Sequence, residues 1–204
     1  MKTYTLKKVQ GLPNWDLIPI MSLDEQMWEK SNTVTAQAQL CWNEDAIHVH
    51  LKANEQDLRM EESGLLADVS ADSCLEFFFR PTERIDFFNF EFNPNCVMFL
   101  GFANGKNHTA ELVRLLVNDA EKVFFPQSKI TADGWELTFR IPHNFVARFF
   151  PDYIPEEGRE MYGNAYKCGN KLRNMHYLAW NPVNPEIHSF HRPQDFGHLI
   201  LGGE

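Results

Sequence analysis

The sequence predicts an all-β chain, an antiparallel β-sandwich of the immunoglobulin or jelly-roll kind with little helix. Three observations carry that expectation. Apolar residues recur at every second position rather than at helical spacing; the alternating segments are short; and turn residues separate them. In "CLEFFFR" (74–80), Leu75, Phe77 and Phe79 share one face and Glu76, Phe78 and Arg80 the other. In "WELTFRI" (135–141), directly after the turn signal "ADG", Trp135, Leu137, Phe139 and Ile141 oppose Glu136, Thr138 and Arg140. A chain of 204 residues, 44% of them apolar, can bury a large core. It contains no repeat, low-complexity tract or linker, so one domain is expected over 1–204.

Taken in order, "AQAQLCW" (36–42) and "AIHVHLKA" (46–53) flank the turn-like "NED" and read as a hairpin. "CLEFFFR" and "FFNFEFN" (87–93), joined by "PTERID", read as a second. "CVMFLGFA" (96–103) continues as a strand. "ELVRLLV" (111–117) does too, with helix as an open alternative because Leu112, Leu115 and Leu116 also suit a helical face. One or two helical turns are expected at "HNFVARFF" after Pro142. Phe77, Phe79, Phe88, Phe90, Phe92, Trp135 and Phe139 are the predicted core. The C-terminal quarter, with "GNAYKCGN", "HYLAWNPV" and "SFHRPQDFG", has little hydrophobic period and reads as loops on a rigid scaffold, where binding residues concentrate.

Charge and composition exclude several roles. A net charge of -9 has the wrong sign for a phosphate-tracking surface, and no basic stripe offsets it, so nucleic acid is not an expected partner. No apolar run approaches the roughly 20 residues of a membrane span. The start, "MKTYTLKKVQ", lacks the apolar stretch of a secretory signal, and a cytoplasmic location is the expectation. Cys41, Cys74, Cys96 and Cys168 are widely spaced, without any CxxC, and read as reduced core thiols. The sequon at Asn107, His108 and Thr109 reads as chance.

The candidate site begins with "NFEFNPN" (89–95), where Asn89, Glu91 and Asn93 alternate with phenylalanine. That row is either a solvated outer face or a binding strip. If the second hairpin is in roughly symmetric register, Glu76 lies near Glu91 on the same face. Such like charges call for solvation, an intervening cation such as Arg80 or a metal, or a ligand whose hydroxyls donate to both. A glycosidase acid/base pair built from Glu76 and Glu91 is the enzymatic alternative. Trp180, flanked by Tyr177 and Asn181, offers an indole face beside amide groups, as a sugar ring requires, or else plugs the core. His48 and His50 share a strand face but lack visible further metal ligands. His191 and Arg192 read as braces of the last strand in preference to ligand contacts, and Lys167 as a loop cation that could meet either Glu91 or a sugar oxygen.

"DSCLEFFFRP", "FFNFEFNPN", "GNAYKCGNK", "HYLAWNPV" and "FHRPQDFGHLIL", in this order, resemble the family 9 carbohydrate-binding modules, within the wider DOMON-like β-sandwich group. The resemblance implies a non-catalytic sandwich, alone or as accessory to a separate enzyme. Its partner would be a mono- or oligosaccharide held between aromatic faces, with no cofactor required and structural calcium as an option. It further implies that Glu76, Asn89 and Glu91 hydrogen-bond the sugar and that Trp180 is one aromatic jaw. Val69 and Ser70 stand where relatives carry an aromatic just before Asp72 and Ser73, which leaves a one-sided clamp. The DOMON-like group also includes haem binders, so a haem or redox domain is a further alternative, beside a metal-dependent enzyme.

Overall fold

The computed structural model of the protein describes residues 1–104 and 111–204, so the sequon at 107–109 lies outside the described residues. Its strands are β1 (Thr3–Lys8), β2 (Met21–Ser22), β3 (Glu25–Met27), β4 (Thr35–Trp42), β5 (Ala46–Asn54), β6 (Cys74–Arg80), β7 (Phe87–Phe92), β8 (Met98–Asn104) and β9 (Glu111–Arg114). After a short helix α1 (Ala120–Phe124) come β10 (Gln127–Thr131), β11 (Gly134–Pro142), helix α2 (His143–Phe149), β12 (Glu160–Cys168), β13 (Tyr177–Ala179) and β14 (Gly197–Leu201). Both hairpins form where alternation places them, β4 with β5 and β6 with β7. α2 occupies the expected helical segment after Pro142.

Hydrogen bonding follows one curled path, β10-β11-β5-β4-β1-β14-β12-β6-β7-β8-β9. Its two halves fold over each other as a β-sandwich. β1 joins them: it pairs parallel to both β14 and β4, so the otherwise antiparallel architecture departs from expectation at this one strand. The main core lies between the halves. Phe90 on β7 approaches Phe139 on β11 at 5.7 Å between ring centroids, and Phe92 approaches Phe139 at 4.8 Å. All seven predicted core aromatics are buried, and each such side chain contributes about 1.5–3 kcal/mol on leaving water.

"GNAYKCGN", expected as a loop, is most of β12, a central strand between β14 and β6. A strand covered on both faces has no apolar/polar alternation to display. Here one face meets the main core while Tyr166 and Cys168 meet a second cluster on the outer side of β6 and β7. That second cluster contains Val69, Val183, Phe190 and Phe196 from the connections between strands, and Tyr177 at the start of β13. The row Asn89, Glu91 and Asn93 is therefore no solvated face, because all three are buried. "ELVRLLV" is a strand over its first four residues only. Among the described residues, no helix is long and apolar enough to cross a membrane.

Candidate functional site

The register of β6 on β7 places Glu76 directly opposite Glu91, and Phe78 opposite Asn89. The register of β12 on β6 adds Cys168 opposite Cys74 and Tyr166 opposite Glu76. Strand parity thus gathers Cys74, Glu76, Glu91 and Cys168 on one outer face, with the Cβ atoms of facing partners about 4.5–5.5 Å apart. Glu76 is 3% exposed and Glu91 7%. Cys168 Sγ donates to Glu76 Oε1 at 2.8 Å, and Asn89 Nδ2 donates to Glu91 Oε1 at 2.7 Å. Asn89 needs room, and Gly101 opposite provides it, since a Cβ there would fall 2.0 Å from Asn89 Oδ1.

Electrostatics follow from the burial. Desolvation pushes both carboxyls well above their ordinary range; the neighbouring Cys168 adds to the rise at Glu76 and the charge of Glu76 adds to it at Glu91, while the Asn89 bond offsets part of the rise at Glu91. Arg80 does not lie between the carboxylates: its guanidinium stacks 3.9 Å over the Tyr162 ring. Lys167 points the other way, into the sandwich, where its Nζ pairs with Glu55 at 3.0 Å. A carboxyl that keeps its proton both donates and accepts hydrogen bonds, as a hydroxylated ligand does.

The two glutamates lie on the floor of a cavity of about 240 Å3 whose walls include Trp28, Tyr177, His188, Phe190 and His191. The Trp28 ring lies 4.2 Å from His188, 4.9 Å from Phe190 and 5.2 Å from Tyr177, and its Nε1 donates to the Pro185 carbonyl at 3.2 Å. Trp28 holds the left-handed conformation, φ 41, so the chain after β3 turns its indole over the sheet. The loop bearing His188 and Phe190 is tied down by Asp195, which accepts from Asn184 N at 3.0 Å and from Arg192 Nε. A larger groove of about 860 Å3 lies beside α2, but its polar lining is largely cationic, with Lys122, Arg140 and Arg148, and has no facing carboxyl pair.

The sequence profile of carbohydrate-binding family 9 matches residues 9–201. The chain belongs to carbohydrate-binding family 9. This is a family of binding modules rather than of enzymes. The chain is similar, at 25% identity and a TM-score of 0.79, to a candidate carbohydrate-binding protein from Bacteroides uniformis ATCC 8492, over 100% of this chain and 99% of that one. It shares its fold with a family 9 module from Caldicellulosiruptor kristjanssonii, seen in complex with cellotriose (14% identity, TM-score 0.69, 100% and 95% covered). The glucose complex of a family 9 module from that organism gives 14% identity and a TM-score of 0.71, with 100% and 97% covered. Among curated proteins there is no match.

The structure distributes the other expected site residues of this family 9 chain differently. Trp180 is 5% exposed and belongs to the main core, edge-on to Tyr4 at 6.5 Å. Gly197 packs so tightly against it that a Cβ there would lie 2.1 Å from the indole. Trp180 therefore plugs the sandwich and is no jaw of the cavity. It follows β13, and its backbone N donates to Ala165 O at 3.0 Å, which fixes the side chain on the inner face. Asn181 is a structural cross-tie, accepting from Lys2 N at 2.7 Å and donating to the Asp195 carbonyl at 2.8 Å. Asn93 follows the end of β7, where it donates to Asp72 at 2.9 Å and accepts from Val97 N at 3.0 Å. Tyr177 does line the cavity.

The wall residue that no sequence signal marked is Trp28, whose surroundings "QMWEKS" show no period. His50 is occupied by Gln39 at 3.0 Å and Glu136 at 3.3 Å, as hydrogen-bonded strand histidines would be. Calcium prefers six to eight oxygen ligands. Among the described residues, Cys74, Glu76 and Cys168 form the one group of three or more His, Cys, Asp and Glu side chains that converge on an ion-sized space, and two of its donors are sulfur. The buried Asp72 is engaged by Arg59 and by the backbone N–H of Glu61 and Glu62.

Proposed function

We propose that the protein binds a saccharide, without catalysis and without a required cofactor, in the cavity above β6 and β7, as one domain spanning 1–204. The observation that carries this reading is the pairing of a buried carboxyl floor, Glu76 and Glu91 with Asn89 behind it, with an aromatic wall around Trp28. Hydroxyls that leave water for such a floor gain only about 0.5–1.5 kcal/mol per neutral bond and about 1.5–3 kcal/mol where the partner is charged. An aromatic face against the sugar's C–H bonds supplies the apolar remainder. Two or three such bonds and one face correspond to affinities on the order of micromolar to millimolar. The cavity of about 240 Å3 lies below the roughly 300–1,000 Å3 of drug-sized sites, which favours one or two sugar rings inside it. Glucose and cellotriose, bound by the structural neighbours, are the first ligands to try.

Titration calorimetry with these sugars tests the reading. Wild type is expected to bind at least one of them. Trp28→Ala and Glu91→Gln are each expected to weaken that binding by at least about tenfold, corresponding to 1.4 kcal/mol. Sugar binding that survives both substitutions would place the ligand elsewhere.

A further inference from the structure

The cavity floor carries chemistry that a sugar site does not use. Cys74 and Cys168 face each other across β6 and β12, and Glu76 is the next residue on the same face. Their three donor atoms lie within 4.8 Å of one another, and all three side chains are buried. Cys168 Sγ lies 2.8 Å from Glu76 Oε1, nearer than nitrogen usually comes to oxygen although sulfur is the larger atom. The remaining buried cysteine, Cys41, stands apart on β4. Among the described residues, the cations around Glu76 and Glu91 are engaged elsewhere: Arg80 is stacked on Tyr162, Lys167 is turned inward to Glu55, and Arg114 donates to the carbonyls of Leu65 and Ala67. Two facing glutamates and two thiols thus share a buried surface with no cation paired to them among the described residues.

We propose that Cys74, Cys168 and Glu76 bind a soft divalent cation of the zinc and cadmium class, in a three-ligand site whose fourth position opens into the cavity. Two sulfurs and one carboxylate oxygen match the donor preference of such ions, with bonds of about 2.3 Å to sulfur and about 2.0–2.2 Å to oxygen. Donors already within 4.8 Å of one another need only small side-chain rotations to reach these lengths. Coordination requires thiolates, so each M2+ bound displaces the two thiol protons into solvent, and a third where Glu76 carries one. Glu91, across from Glu76, stands beside the open position, which a water or a ligand hydroxyl would fill. This is independent of whether a sugar binds.

The test uses the full chain, reduced and stripped of metal, titrated with Zn2+ and with Cd2+ in the absence of saccharide. One equivalent is expected to bind, with proton release and, for Cd2+, an ultraviolet thiolate charge-transfer band. Loss of an outer partner of a metal ligand typically costs 10–100-fold in affinity, so Cys168→Ser and Glu76→Gln, which removes a ligand without touching a thiol, should each cost at least about tenfold. Cys96→Ser, away from the group, should leave affinity unchanged. Thermal melts of each variant identify any that fails to fold. Failure of reduced wild type to take up an equivalent, or uptake that Glu76→Gln and Cys168→Ser leave intact in folded protein, would overturn the proposal. Because no sugar is present, neither result bears on saccharide binding.

Discussion

Trp28 and Trp180 make opposite predictions, and the contrast separates site from core. Trp180→Ala removes an indole 5% exposed, edge-on to Tyr4 and packed closely against Gly197. A tryptophan truncated in a core costs about 3–5 kcal/mol. With an unfolding entropy of about 2.1 cal/mol/K per residue over 204 residues, that loss lowers Tm by about 7–12 °C for two-state unfolding. The cavity lining is untouched, so affinity for glucose or cellotriose, measured well below the melt, should stay within about twofold, as for independent sites. Trp28→Ala should do the reverse. Its indole is half-buried, so Tm should fall by no more than a few degrees while binding is lost. Melting curves from circular dichroism and titration calorimetry on both variants decide it. A Trp180→Ala protein with Tm nearly unchanged and binding abolished would refute the assignment.

Other expectations follow from the same geometry. Burial raises Glu76 and Glu91 above their ordinary value of 4.5, so the native state keeps protons that the unfolded chain releases. Their contribution to stability is full below 4.5 and is lost as pH rises through the native-state values; Glu76→Gln should flatten that decline in Tm, and an unchanged profile would count against it. His191 runs the other way, burial drawing its imidazole from 6.5 to about 4. Its contribution is present above 6.5 and lost as pH falls toward 4, and His191→Gln should remove that acid-side slope in a pH series of melts. Gly101→Ala drives a methyl into Asn89, so sugar affinity should drop together with stability; normal binding would mean that Asn89 does not orient Glu91. Phe90→Ala, a fully buried core truncation, should cost about 3–5 kcal/mol in denaturant unfolding.

Glu76 opposite Glu91 was legible in the sequence because strand side chains alternate with a period of two and the connection between β6 and β7 is short. The aromatic core was legible for the same reason. What escaped was whatever period two does not encode. β12 is covered on both sides and buries Asn164 and Lys167, so its sequence resembles a loop. Trp180 has amide and tyrosine neighbours in sequence, yet its backbone bond to Ala165 turns it inward. The polar row on β7 is covered by segments distant in sequence, and alternation along one strand does not encode such a cover. Trp28 reaches the site through one left-handed residue, and Cys168 reaches Glu76 across 92 positions of chain. Contacts of that kind are set by tertiary register and leave no local trace.

Amide chemical-shift mapping during titration of the isotope-labelled protein with glucose or cellotriose tests most directly whether the cavity over β6 and β7 is the saccharide site. The account predicts saturable shifts concentrated at Trp28, Glu76, Glu91, Cys168 and 188–191, with residues around Trp180 nearly unmoved. Shifts confined to the cationic groove around Arg140 and Arg148, or no saturable shift with any saccharide tried, would contradict it.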